Sequence, residues 1–161
     1  MVTSSDLNFL DLPALTVLPE WIDYNGHMNV AYYVLAFDRG VDTFMSSIGI
    51  NPNYVKERRA STFTLEIHVN YFQELRLGDP LRLNCQLLDF DKKRVHCFLS
   101  MYHGTEGYVA AVSEQVMTHV NLETRRSSEF PDDIHLALKK LMVKHQRLPR
   151  PQESGRLISI R

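Results

Sequence analysis

The sequence predicts an α+β fold in which an antiparallel sheet wraps around one long central helix. Three observations carry that expectation. Residues 31 to 49 repeat apolar side chains three or four apart, segments between 62 and 121 repeat them every second position, and only short polar turns separate those segments.

In chain order, ALTVLPEWI (14 to 22) reads as a first strand. In AYYVLAFDRGVDTFMSSIG, Val34, Phe37, Val41, Phe44, Met45 and Ile48 share one face of a helix, and Gly49 is placed to stop it. NPNYVKERRAS reads as a polar connection. From 62 to 72 the pattern alternates strictly, with Phe63, Leu65, Ile67, Val69 and Tyr71 on a face expected to be buried, and Thr64, Glu66, His68 and Asn70 on the other. Gly78, Asp79 and Pro80 turn the chain into LRLNCQLLDF, and Asp91, Lys92 and Lys93 turn it into RVHCFLSMYH. HGTEG turns it again into YVAAVSEQVMTHVNLE. PDDIHLALKKLMVKHQ opens on proline and two acids and closes on basic residues, the charge order that suits a helix dipole. From about residue 148 the chain reads as an exposed tail.

Composition excludes several function classes. The 161 residues suit one domain, taken as 1 to 161, and 18 basic against 19 acidic residues leave no basic stripe for nucleic acid. No run approaches the roughly 18 apolar residues of a membrane span. The opening MVTSSDLNFLDLP lacks a basic, apolar leader, so a cytoplasmic protein with Cys85 and Cys97 reduced is expected. Seven histidines without H-x-H or H-x-x-x-H spacing, and two distant cysteines, give no metal site; the absence of G-x-S-x-G argues against a serine hydrolase.

Chemistry concentrates in EWIDYNGHMNV, residues 20 to 30. Asn29 is placed to cap the helix, which leaves the N–H of Val30 as a first unpaired donor at the positive end of the dipole, suited to an oxyanion. Gly26 permits a sharp bend or the close approach of a ligand. Asp23, four residues before His27, can attack a carbonyl or deprotonate a water. A polar turn with an asparagine cap also precedes many helices that do no chemistry, and His27 serves equally to position a substrate or to brace the turn. Glu66 and His68 sit two apart on a polar strand face, catalytic only if that face lines a pocket. Arg125 and Arg126 suit coenzyme A phosphates, or plain solvation of a strand end. Trp21, Tyr24, Tyr32, Tyr33, Tyr71 and Phe72 suit either an aromatic cage for a quaternary ammonium or ordinary core packing.

The run Asp23-Tyr24-Asn25-Gly26-His27-Met28-Asn29, with YFQELRLGDPL (71 to 81) and HVNLETRRSSEFP (119 to 131), resembles the hotdog-fold acyl-CoA thioesterases related to 4-hydroxybenzoyl-CoA thioesterase. LPEWIDYNGHMN is particularly similar to the betainyl-CoA thioesterases of carnitine breakdown. Trp21 stands where the broader family often has a first aspartate, Tyr24 where proline is common, and Val30 where a last asparagine stands. The resemblance implies a hotdog fold, hydrolysis of a small acyl-CoA with Asp23 as catalytic carboxylate and the Val30 amide as oxyanion donor, and a homodimer or tetramer. Coenzyme A enters only as part of the substrate, and no separate cofactor is expected. Two other activities suit the same scaffold: an acyl-thioester dehydratase or hydratase using Glu66 and His68, and a non-catalytic acyl-CoA-binding dimer.

Overall fold

The helical period becomes α1 (Val30–Ser47), which buries Tyr33, Ala36, Phe37, Gly40, Val41, Phe44 and Met45 and ends before Gly49, whose φ of 99° breaks the helix. The computed structural model describes residues 15–160, so the expectations for residues 1 to 14 lie outside the described residues. β1 (Leu15–Thr16), β2 (Ala60–Tyr71), β3 (Pro80–Phe90), β4 (Arg94–His103), β5 (Val109–Asn121) and β6 (Arg126–Ser127) make one antiparallel sheet in the order β1-β3-β4-β5-β2, with β6 on β5. The sheet's inner face carries Leu81, Leu83, Cys85 and Leu87 of β3 opposite Cys97, Leu99 and Met101 of β4, and these pack with α1 into one core. Both cysteines are free and buried, and burial pushes the Cys85 thiol well up.

α3 (Asp132–His145) has Asp132 and Asp133 in its first turn and Lys144 and His145 in its last, as its charge order predicts. It packs on β3, where His145 Nδ1 accepts a 2.8 Å bond from the Leu87 N–H.

Three expectations are corrected. The strand at 14 to 22 shortens to two residues, because Pro19 has no N–H to give a ladder and begins a 3-10 turn through Trp21. The polar connection contains α2 (Pro52–Arg58), capped by the Asn51 side chain, which accepts from Tyr54 N–H. Proline at its first turn and asparagine at its cap are ordinary helix-start signals.

The third correction concerns β2. Its register against β5 shifts between Thr64 and Glu66, so Leu65 is an extra, bulged residue and the alternation changes face there. Ile67, Val69 and Tyr71 pair with Gln115, Ser113 and Ala111 on the helix side. Phe63 pairs with Thr118 on the outer side, and Leu65 borders an outer concavity beside Thr118. Phe63, Leu65, Ile67 and Tyr71 are all exposed in the single chain, so the face expected to be buried is split and largely uncovered.

Candidate active site

The turn before α1 is fixed by its own polar groups. Asp23 N–H donates to His27 O and Gly26 N–H to Asp23 O, while Gly26 holds φ at 80°. Met28 N–H donates to Leu75 O at 2.7 Å and Asn29 N–H to Trp21 O at 2.8 Å, which lock the turn to the core on both sides. The Asp23 carboxylate accepts from Asn25 N–H at 2.8 Å and from the Asn29 side-chain amide at 3.3 Å. Asn29 Oδ1 in turn accepts from Ala31 N–H at 3.0 Å, so one side chain both caps the helix and orients the carboxylate.

Tyr32 N–H donates to Asn29 O, and the N–H of Val30 joins no hydrogen bond among the described residues. That amide sits at the exposed start of α1 with the positive dipole end behind it. His27 Nδ1 lies 3.2 Å from Met28 O; only a protonated Nδ1 serves a carbonyl, which directs the lone pair of the neutral ring to Nε2. His27, Met28, Val30, Tyr33, Tyr71, Phe72, Gln73 and Glu74 line a cavity of about 290 Å3 beside this helix start. Tyr33 and Tyr71 meet edge to face at 5.2 Å, and the Tyr33 hydroxyl accepts from Leu75 N–H. Burial pushes the Tyr33 phenol up to about 12, so it stays neutral. Leu75 thus joins the turn before α1 to the aromatic wall through its own C=O and N–H.

The structure brings Asp23, Gly26, His27, Asn29 and Val30 onto one turn and leaves other candidates elsewhere. Trp21 is 2% exposed, stacked on Tyr32 at 5.6 Å with the Arg39 guanidinium 5.5 Å from its ring centroid, so it belongs to the core rather than to a cage. Tyr24 is 96% exposed at the tip of the turn, outside the cavity. Of the expected cage, Tyr33, Tyr71 and Phe72 line the cavity. Glu66 and His68 pair with Val116 and Glu114 on the outer sheet face, away from α1. Arg125 adopts φ 58° in the turn after β5 and lies over Phe63 at 5.2 Å. Tyr71 pairs with Ala111 and Ala60 with Asn121, ten residues along β5, so Arg125 is on the order of 30 Å from the cavity in the same chain. Gln73 and Glu74 are lining residues that sequence reasoning did not single out, although they fall within YFQELRLGDPL; Glu74 is paired with Arg76.

A carboxylate and an unpaired helix-start amide on one rigid turn, cradled by an antiparallel sheet around a central helix, define a hotdog thioester hydrolase. The chain belongs to the thioesterase-like superfamily, whose family model matches residues 17–138. It is 38% identical to a betainyl-CoA thioesterase of Pseudomonas aeruginosa over 89% of this chain and 91% of that protein. It is 35% identical to an L-carnitine dehydrogenase/betainyl-CoA thioesterase of Rhizobium meliloti over 84% of this chain, spanning 27% of that longer protein. A Staphylococcus aureus structure in complex with CoA superposes with a TM-score of 0.86 at 32% identity, covering 92% of this chain and 94% of the other.

Proposed function

We propose that the protein hydrolyses a small acyl-CoA to the free acid and coenzyme A, with betainyl-CoA as its substrate. The observation that carries the reaction is the Asp23–Asn29–α1 arrangement, in which one asparagine holds the carboxylate and leaves the next amide unpaired. The thioester carbonyl oxygen would lie on Val30 N–H, so charge developing on that oxygen meets a donor already in place. Asp23 would start the attack on the carbonyl carbon, either through its own oxygen, giving a mixed anhydride as the C–S bond breaks, which water then cleaves to the free acid and the carboxylate, or by taking a proton from the water that attacks. Coenzyme A leaves as a thiolate, which lowers the demand for a general acid.

Asp23→Asn keeps the shape and can still accept from Asn25 N–H, but it loses the second acceptor oxygen and removes the base or nucleophile. Free-thiol release should drop at least ~10²-fold. A folded variant with near-normal turnover would reject the assignment.

The acyl group is read from the cavity. About 290 Å3 suits a short acyl chain, and its wall offers Tyr33, Tyr71, Phe72 and Glu74 without any lysine or arginine. Aromatic faces attract a trimethylammonium group that has no N–H to donate. The 38% identity to a betainyl-CoA thioesterase supports the same substrate. The matched control is 3,3-dimethylbutanoyl-CoA, which replaces the quaternary nitrogen with carbon. Betainyl-CoA should have the higher kcat/KM, and Tyr71→Leu should cut that preference ~2- to 30-fold, the span of a 0.5 to 2 kcal/mol cation–π contact. Equal kcat/KM for both substrates in the unmodified enzyme would refute the betainyl reading while leaving hydrolysis intact.

The working unit in this reading is a two-fold dimer through β2. That strand runs 12 residues at the sheet edge, bonded only to β5 among the described strands, without proline, lysine or arginine. Such an edge pairs readily with another strand, and antiparallel pairing with a second copy would continue the sheet. The dimer would also carry the second copy's Arg125 toward this cavity.

A further inference from the structure

The chain after α3 does not hang free. It is laid across the outer face of the sheet in a definite direction. Gln86 of β3 donates to His145 O and Pro149 O, and Leu148 to Glu153 pass over Phe98, Ser100 and Tyr102 of β4. The path then reaches β5, where Glu114 accepts from Ser154 Oγ at 2.9 Å and from Gly155 N–H at 2.7 Å, and also bonds His96 Nε2 at 2.7 Å. Crossing β3, β4 and β5 in that order leaves one strand ahead, β2, whose His68 is the register partner of Glu114. Beyond β2 no further strand lies among the described residues.

Past the charged, half-buried Arg156, the three apolar residues from 157 to 160 are uncovered: Leu157, Ile158 and Ile160 are 84%, 93% and 104% exposed. Five residues from 156 to 160 reach ~16 Å at ~3.3 Å each, which is about three strand spacings of ~4.8 Å, enough to cross β2 and pass beyond it. If β2 pairs with its copy about its own midpoint, between Leu65 and Glu66, then the level of His68 in one copy meets the level of Phe63 in the other. Phe63 and the bulged Leu65 are the exposed apolar residues that β2 presents on this outer face, and Leu65 borders a concavity of about 610 Å3 with Asp91, Lys92, Arg94, Thr118 and Glu129.

We infer that residues 156 to 160 form an arm that crosses the dimer seam and seats Leu157, Ile158 and Ile160 on the Phe63–Leu65 patch of a second copy of this chain. The inference rests on the β2 dimer proposed above. It gives an apolar occupant to two exposed surfaces that, among the described residues, meet no other apolar segment, Phe63 being covered only by the Arg125 guanidinium, and two-fold symmetry makes the contact reciprocal. It also gives a use to the Glu114 anchor, which sets the arm's exit toward the edge.

The test combines sedimentation of the full chain and of a chain ending at Gly155 with a double variant, Leu65→Cys with Ile158→Cys, in which the native Cys85 and Cys97 stay buried. The expected result is a dimeric full chain, a dimer at least ~10-fold weaker in the shortened chain, and disulfide-linked dimers from the double variant under mild oxidation. A dimeric full chain whose affinity is unchanged by shortening, or which yields no interchain link, overturns the arm and leaves the β2 dimer standing. A monomeric full chain at micromolar concentration overturns both.

Discussion

Trp21 and Tyr24 flank Asp23 two residues before it and one after, and the fold sends them in opposite directions. Trp21 goes into the core between Tyr32 and Arg39, so its ring already has a cation and an aromatic neighbour. Trp21→Leu should therefore lower stability by about 2 kcal/mol, less than a full truncation to alanine, and leave the ratio of kcat/KM for betainyl-CoA and its uncharged analogue unchanged. Thermal melts and the two-substrate assay measure both, and a changed ratio in a variant of normal stability would return Trp21 to the acyl pocket. The geometry of the turn before α1 was legible because its logic is local: Asp23, Gly26 and Asn29 lie within seven residues, and cap and bend chemistry depends on neighbours in sequence. The aromatic lining of the cavity was only half legible, because Trp21 and Tyr71 are both aromatic residues at element ends and nothing in the string says which one faces the cavity. The core took Trp21, and the end of β2 placed Tyr71 beside Tyr33.

At the scale of elements, two buried histidines join parts of the chain that composition cannot pair. His119 on β5 takes Tyr54 of α2 at 2.8 Å and the Ser128 hydroxyl at 3.0 Å, and His145 closes α3 onto β3. Burial lowers the pKa of both, with Lys144 adding to the effect at His145. Each ring is neutral in the fold and binds a proton more readily once unfolded. Their contribution is fully present above the unfolded histidine value of about 6.5 and is lost as pH falls through the lowered folded values. The melting temperature should fall between pH 7 and 5. His145→Asn, whose side-chain oxygen can still accept from Leu87 N–H, should flatten that slope, and an identical slope in the variant would place the acid sensitivity elsewhere. α1 and the later strands were readable from their periods, since long amphipathic runs leave little choice. α2 escaped because seven residues hold too few turns for a period, although Asn51 and Pro52 signalled its start. The bulge at Leu65 escaped for a different reason: the sequence alternates straight through it, and only the register against β5 moves one half of the strand to the other face.

For the whole molecule the governing fact is a length. The helix-start cavity lies at the Tyr71 end of β2 and Arg125 beyond the Ala60 end, with the β2–β5 ladder between them. The strands and the central helix were foreseeable from the succession of elements, but a run of turns reads as a meander and does not say that β2 lies beside β5 instead of β3; this separation was hidden too, because it depends on which end of each strand faces which. In the proposed dimer a two-fold axis near the middle of β2 would reverse the ends and bring the second copy's Ala60 end, with the turn that carries Arg125, beside this copy's Tyr71 end. One cavity would then draw on two chains, with the carboxylate, amide and aromatic wall from one and, once its guanidinium leaves the outer-face Phe63, Arg125 for coenzyme A phosphate from the other. Ile67 lies near that axis on the helix side of β2, exposed in the single chain. Ile67→Lys would bring two ammonium groups together across the seam, the kind of charge that keeps edge strands apart. Sedimentation should then show a folded monomer, and kcat/KM should fall at least ~10-fold while Asp23 and its turn are untouched. Arg125→Ala in the dimer should raise KM with little change in kcat, as expected for a contact that binds coenzyme A equally in the ground and transition states. An Ile67→Lys monomer with full activity would show that one chain suffices, and Arg125 would revert to a solvated turn residue over Phe63.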